Sequence, residues 1–98
     1  MKSKLFTCLA MLFLSFSLMA QTKQVSGTVV DEIGPVAGVS VIEKGTQNGA
    51  VTDLDGNWTL NVPQGATIVI SSIGYKDVEL LVGSQNVYNA TLQEDTQL

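Results

Sequence analysis

Residues 45–58, GTQNGAVTDLDGNW, carry two turn signals, Asn48-Gly49 and Asp55-Gly56, around a very short apolar stretch. Asn and Asp tolerate the left-handed region of backbone space, and Gly has no Cβ to clash there. Both dipeptides therefore favour tight reversals with positive φ. Trp58, Leu60 and Val62 then alternate with Thr59 and Asn61, the period-two pattern of a strand with one buried face. A chain that reverses twice in so short a space and then alternates builds consecutive antiparallel strands.

The same reading extends along the chain. Val25, Gly27 and Val29 alternate with Ser26 and Thr28, predicting a first strand of about six residues. Residues 31–38 form a loop, because Gly34-Pro35 cannot sit inside a central strand. Val39 and Val41 begin a second strand that ends near Lys44-Gly45, and residues 50–53 and 57–62 give the third and fourth. Pro63-Gln64-Gly65 stops the fourth. A fifth spans 66–72 with Ile68 and Ile70 on one face, and Gly74-Tyr75 makes a corner. A sixth spans 75–82 with Val78, Leu80 and Val82 on one face, and a seventh spans 87–92 after the turn at 83–86. Seven short strands without helical periodicity predict an all-β fold, a seven-stranded antiparallel β-sandwich, with a barrel as the alternative. Lys76, Asp77 and Glu79 would blunt a sheet edge if they lie on one.

The amino terminus reads as a secretory signal over residues 1–20. Lys2 and Lys4 precede an almost wholly apolar run from Leu5 to Leu18, and Ala20 offers a small residue before Gln21. The run is shorter than the roughly 20 apolar residues a membrane span needs, so a retained anchor is the less favoured alternative. Cys8 lies near the start of the run rather than its end, which argues against a lipoprotein signal. Cleavage after Ala20 removes the chain's one cysteine, leaving neither a disulfide nor a thiol nucleophile. It also leaves three lysines, no arginine and nine acids, a net charge of −6. That balance argues against nucleic acid and against an anionic membrane surface, both of which require basic side chains. Residues 21–24 read as a polar leader.

The chemistry-bearing residues are few. Asp53-Leu54-Asp55-Gly56-Asn57 resembles the start of a calcium loop, but Trp58 and Gln64 stand where a complete EF-hand loop needs its Gly and its bidentate Glu. The favoured reading is a turn whose Asp side chains cap backbone N–H groups. Asp53, Asp55, Asp77 and Glu79 could in principle supply a paired-carboxylate hydrolase, but nothing marks two of them as buried together. The chain has no His, which excludes a Ser-His-Asp site and His-based metal coordination. Trp58 alternates with Leu60 and Val62 and reads as core rather than as a sugar platform, while Tyr75 at its corner reads as tying its hydroxyl to backbone. Asn57-Trp58-Thr59 and Asn89-Ala90-Thr91 fit the glycosylation pattern, relevant only in a eukaryotic secretory host. The expectation is no catalytic residues, no cofactor and no metal.

Five segments taken together resemble a known family: VSGTVVD at 25–31, PVAGVSV at 35–41, Gly45-Thr46, TDLDGNW at 52–58 and SIGY at 72–75. They are similar, in order, to the carboxypeptidase-regulatory-like domain, which implies a transthyretin-like (prealbumin-like) Greek-key β-sandwich over residues 25–92. Joined to a signal peptide, the arrangement resembles the N-terminal extension of SusC/RagA-type TonB-dependent outer-membrane receptors. That resemblance implies a non-catalytic accessory domain, exported to the periplasmic side of the outer membrane, with no direct membrane insertion of the mature part. It implies as partners the receptor's plug and barrel, for glycan or peptide uptake, and the periplasmic energy-transducing protein of the TonB system. Residues 93–98 resemble the linker toward a TonB-box and plug region. The alternative is a stand-alone secreted binding module for a carbohydrate or a surface protein.

Overall fold

A computed structural model describes residues 21–95. The expected signal over residues 1–20, with Cys8, lies outside the described residues, as does the end of the 93–98 segment. The strands are β1 (Lys23–Val30), β2 (Ser40–Glu43), β3 (Gly49–Val51), β4 (Asn57–Val62), β5 (Thr67–Ser71), β6 (Val78–Leu81) and β7 (Ala90–Thr91). They form two sheets, β4-β1-β7 and β3-β2-β5-β6, facing each other as a β-sandwich. The ladders are antiparallel, except that β7 lies parallel to β1, with Val29 opposite Ala90 and Val30 opposite Thr91.

The period-two patterns decide which face is buried. Val25 and Val29 of β1 and Trp58, Leu60 and Val62 of β4 line the inner face of one sheet. Val41 of β2 and Ile68 and Ile70 of β5 answer from the other, and Val39, Val82, Ala90 and Leu92 close the ends. Nine of these side chains are less than 2% exposed, so a domain with so few residues still has a dry centre.

Local chemistry explains where element boundaries differ from the sequence expectation. The β2–β3 reversal is set by Gly45 (φ 81°) and not by Asn48-Gly49. The Glu43 N–H donates to the Asn48 carbonyl (2.9 Å), and Thr46 Oγ1 donates to the Glu43 carbonyl (2.9 Å) while accepting from the Asn48 N–H (3.0 Å). Gly49 instead lies inside β3 opposite Ile42, where a Cβ would sit 2.9 Å from Ile42 Cγ1. Asp55-Gly56 does form the expected reversal: Gly56 has φ 77°, and a Cβ there would lie 2.4 Å from the Val29 carbonyl oxygen. Lys23 and Gln24 belong to β1, paired with Val62 and Asn61, rather than to a free leader.

β7 is shorter than expected because Asn89 interrupts it. The Thr28 N–H, which would continue the ladder, donates to the Asn89 side-chain Oδ1 (3.0 Å). Ahead of that break the Ser26 N–H donates to the Asn86 carbonyl (2.9 Å) and the Tyr88 N–H to the Ser26 carbonyl (2.7 Å). β6 begins late for a similar reason: the Lys76 N–H donates to the Gln93 carbonyl (2.9 Å) and the Asp95 N–H to the Gly74 carbonyl (3.0 Å). β6 is a sheet edge, and Glu79 on it meets Lys44 at 2.8 Å in an exposed ion pair that raises the lysine's pKa.

Candidate interaction surface

Two of the carboxylates singled out in the sequence, Asp53 and Glu79, are engaged within the fold. Asp53 Oδ1 accepts the N–H groups of Asp55 and Asn57, both at 2.9 Å, so its role is to hold the β3–β4 turn. Asp77 precedes the β6 edge and Glu79 is engaged by Lys44. Among the described residues, no group of three or more acids gathers as a metal site would require. Trp58 is 3% exposed, a core side chain as its alternation predicts. Its indole N–H is buried without a hydrogen-bond partner. Tyr75 departs from expectation: its hydroxyl donates not to backbone but to Asp31 Oδ2, at 2.7 Å.

The strand registers gather three loops at one end of the sandwich. Thr28 near the end of β1 pairs with Asn57 at the start of β4, while Ser40 at the start of β2 pairs with Val51 and Ser71 at the ends of β3 and β5. The β1–β2, β3–β4 and β5–β6 connections therefore emerge together. The parallel β1–β7 ladder delivers residues 92–95 to the same end, where Glu94 bridges Tyr75. Each loop carries one large aliphatic side chain in solvent: Ile33 (96% exposed), Leu54 (90%) and Ile73 (100%). Each precedes, by one or two positions, a glycine of positive φ: Gly34, Gly56 or Gly74. That spacing is visible in the sequence, but only the registers show that the three turns share one end.

Charge follows the same division. Asp31 and Glu32 lie in the first loop, Asp53 and Asp55 in the second, Asp77 in the third, and Glu94 and Asp95 in the segment after β7. Those are seven of the chain's nine acids, accompanied there by a single lysine, Lys76. Lys23, Lys44, Glu43 and Glu79 lie toward the other end and balance. The loop end is thus an acidic pole studded with aliphatic side chains. An open depression of about 420 Å³, lined by Gly38, Ser40, Ser71, Ser72 and Ile73, lies beside it.

Three side chains brace this pole. Thr52, buried at 5% exposure, donates its hydroxyl to the Val36 carbonyl (2.7 Å) and accepts the Val39 N–H (2.9 Å), fastening the first loop to the second. Asp31 and Tyr75 fasten the first to the third. The Tyr75 hydroxyl, followed by the N–H groups of Ile33 and Gly34, holds the Asp31 carboxyl below its ordinary pKa. The same bond to a carboxylate pushes the Tyr75 phenol up.

The object is a two-sheet sandwich whose most exposed aliphatic side chains, Ile33, Leu54 and Ile73, lie in the loops of one pole. The chain belongs to the CarboxypepD_reg-like domain family, which it matches over residues 25–98. It is 45% identical over 91 residues to the TonB-dependent receptor SusC of Bacteroides thetaiotaomicron, and 44% identical over 94 residues to the TonB-dependent receptor P39 of Formosa agariphila. These alignments cover 92% and 91% of this chain but 9% of each receptor, so the chain spans about a tenth of the length of the relatives it matches. Among solved structures it is similar to a chain of a type II cohesin–X-dockerin complex, a C-terminal interface mutant, from Acetivibrio cellulolyticus. That likeness has a TM-score of 0.55 and 26% identity, and covers 70% of this chain and 52% of the other.

Proposed function

We propose that the chain is the N-terminal accessory domain of a TonB-dependent outer-membrane receptor, held on the periplasmic side after a signal over residues 1–20 is removed. The domain proper, expected over residues 25–92, begins with β1 at Lys23, and residues 93–98 lead toward the TonB-box, plug and barrel that carry out import of glycans or peptides. The domain acts by contact, with the plug and barrel and the energy-transducing protein of the TonB system as partners, and it performs no catalysis. The observation that carries this reading is 45% identity to SusC along 92% of the chain. The engagement of Asp53 and Glu79 within the fold, and the lack of any histidine, support the non-catalytic role.

The test is made in the native organism with an epitope tag inserted after Gln21, together with sequencing past the codon for Leu98. The expected result is an outer-membrane polypeptide of receptor length. In-frame deletion of residues 25–92 should leave that polypeptide in the membrane while lowering substrate uptake. A tagged product that ends near residue 98 and stays in the periplasmic extract would refute the reading.

A further inference from the structure

Sandwich domains of this size have two loop ends, and only one of them here has the features of a docking face. At the opposite end, where the β2–β3, β4–β5 and β6–β7 connections lie, Gln64 and Ser84 are exposed, Leu81 and Val87 are only partly so at 71% and 57%, and the charges nearby balance. The loop pole presents Ile33, Leu54 and Ile73, each at least 90% exposed, among carboxylates that outnumber the lysines there. Turn chemistry does not require these side chains. Residues that expose a large aliphatic gain no burial free energy on folding, and three of them gathered at one end mark a surface that another surface covers.

We propose that the loop pole is the face by which the domain seats against the receptor polypeptide that follows it, on a basic surface bearing an apolar depression. The inference rests on the receptor reading above and adds the face and the chemistry of its occupant. Two observations select that occupant. The parallel β1–β7 ladder sends residues 92–95 out at this pole, so whatever chain continues beyond them starts beside Ile33 and Ile73. Even leaving Asp95 aside, six acids stand against one lysine at this pole, and that surplus of negative charge favours basic side chains opposite, since like charges would repel. The braces from Thr52 and Tyr75 keep the three loops in place, so docking requires little further ordering of the loops.

The experiment uses the full tagged chain in cells, with the photocrosslinker p-benzoylphenylalanine placed singly at Ile33, Leu54, Ile73, Gln64 or Ser84. Irradiation should give adducts from the first three positions within the same polypeptide, identified by peptide mapping, and none from Gln64 or Ser84. The double variant Glu32→Lys with Asp55→Lys should abolish those adducts while leaving the polypeptide at normal abundance. Adducts to a separate polypeptide would overturn the occupant, and adducts from Gln64 or Ser84 alone, or from no position, would overturn the face. Adducts that survive the charge reversal would overturn the basic surface. The tag's molecular size reports separately on the receptor reading: receptor length without loop-pole adducts refutes this inference and leaves that reading intact.

Discussion

Thr52→Val tests whether the pole is held by one buried hydroxyl. The substitution keeps the branched shape of the side chain and replaces its hydroxyl with a methyl group. Two hydrogen bonds go with it, from Thr52 Oγ1 to the Val36 carbonyl at 2.7 Å and from the Val39 N–H to Thr52 Oγ1 at 2.9 Å. The Val36 carbonyl is half-buried and can recruit water, so its loss costs about 1 kcal/mol. Val39 is fully buried, and its orphaned N–H adds a desolvation penalty of about 1–3 kcal/mol. The sum is about 2–4 kcal/mol, out of a total stability of roughly 4–11 kcal/mol for a domain of this length. Thr52→Ser does the opposite, keeping both bonds and losing one buried methyl at about 1 kcal/mol. Equilibrium urea unfolding of the chain from residue 21 reads both variants through Trp58, the only tryptophan and a buried one. The valine variant should unfold at clearly lower urea than the serine variant, with a Tm lower than the parent's by roughly 8–32 °C. If Thr52→Val proves as stable as Thr52→Ser, the hydroxyl does not hold the loops and the packing of the methyl does.

Gly27→Ala would place a Cβ 1.7 Å from the Tyr88 carbonyl oxygen, forcing β1 away from the segment leading into β7, and should cost about 3 kcal/mol or more in the same assay. Gly83, with open space around its Cβ position and no positive φ, should accept alanine with a gain of roughly 0.4–1 kcal/mol. Because the folded state lowers the pKa of Asp31, its contribution is full above the ordinary value of 3.8 and is lost as pH falls through the lowered one. Because folding raises the pKa of Tyr75, its contribution is full below 10.0 and is lost as pH rises through the raised value. Tyr75→Phe should therefore flatten the plot of unfolding midpoint against pH at both extremes. Asp53→Ala removes the acceptor of two turn N–H groups and should cost about 1–2 kcal/mol, while Asp55→Ala should stay within about 0.5 kcal/mol. Calcium should shift the melting temperature of neither.

The core was readable because its signal is local. Trp58, Leu60 and Val62 alternate with polar neighbours, and alternation alone assigns them to one face. β4 spans the expected residues because Gly56 and Pro63 bound it on both sides. The β2–β3 turn was misplaced by a competing local rule: Asn48-Gly49 is a strong reversal signal, but Gly45 made the turn four residues earlier. Gly49 was then left for a position where Ile42 admits no Cβ. The parallel placement of β7 was not legible, since strand direction depends on which distant edge is free and not on the strand's own pattern. Tyr75 shows the same limit. Its corner was visible, but its partner Asp31 lies 44 residues away in the chain, and only the registers bring the two loops together.

Two groups of exposed aliphatic residues stand in contrast. Val51 and Leu81 are exposed on β3 and β6, the edges of the four-stranded sheet, where strand preference explains an apolar residue without a partner. Ile33, Leu54 and Ile73 have no such explanation, because turns favour small and polar residues and these side chains are at least 90% exposed. Their loops are nevertheless fixed by some of the most specific interactions in the domain, the two bonds of Thr52 and the Asp31–Tyr75 bond. A fold that braces its loops while leaving their apolar tips in water has a surface organised for something outside itself. The acids around those tips keep the pole from pairing with another copy of itself, since two such poles would repel, and reserve it for a surface of opposite charge.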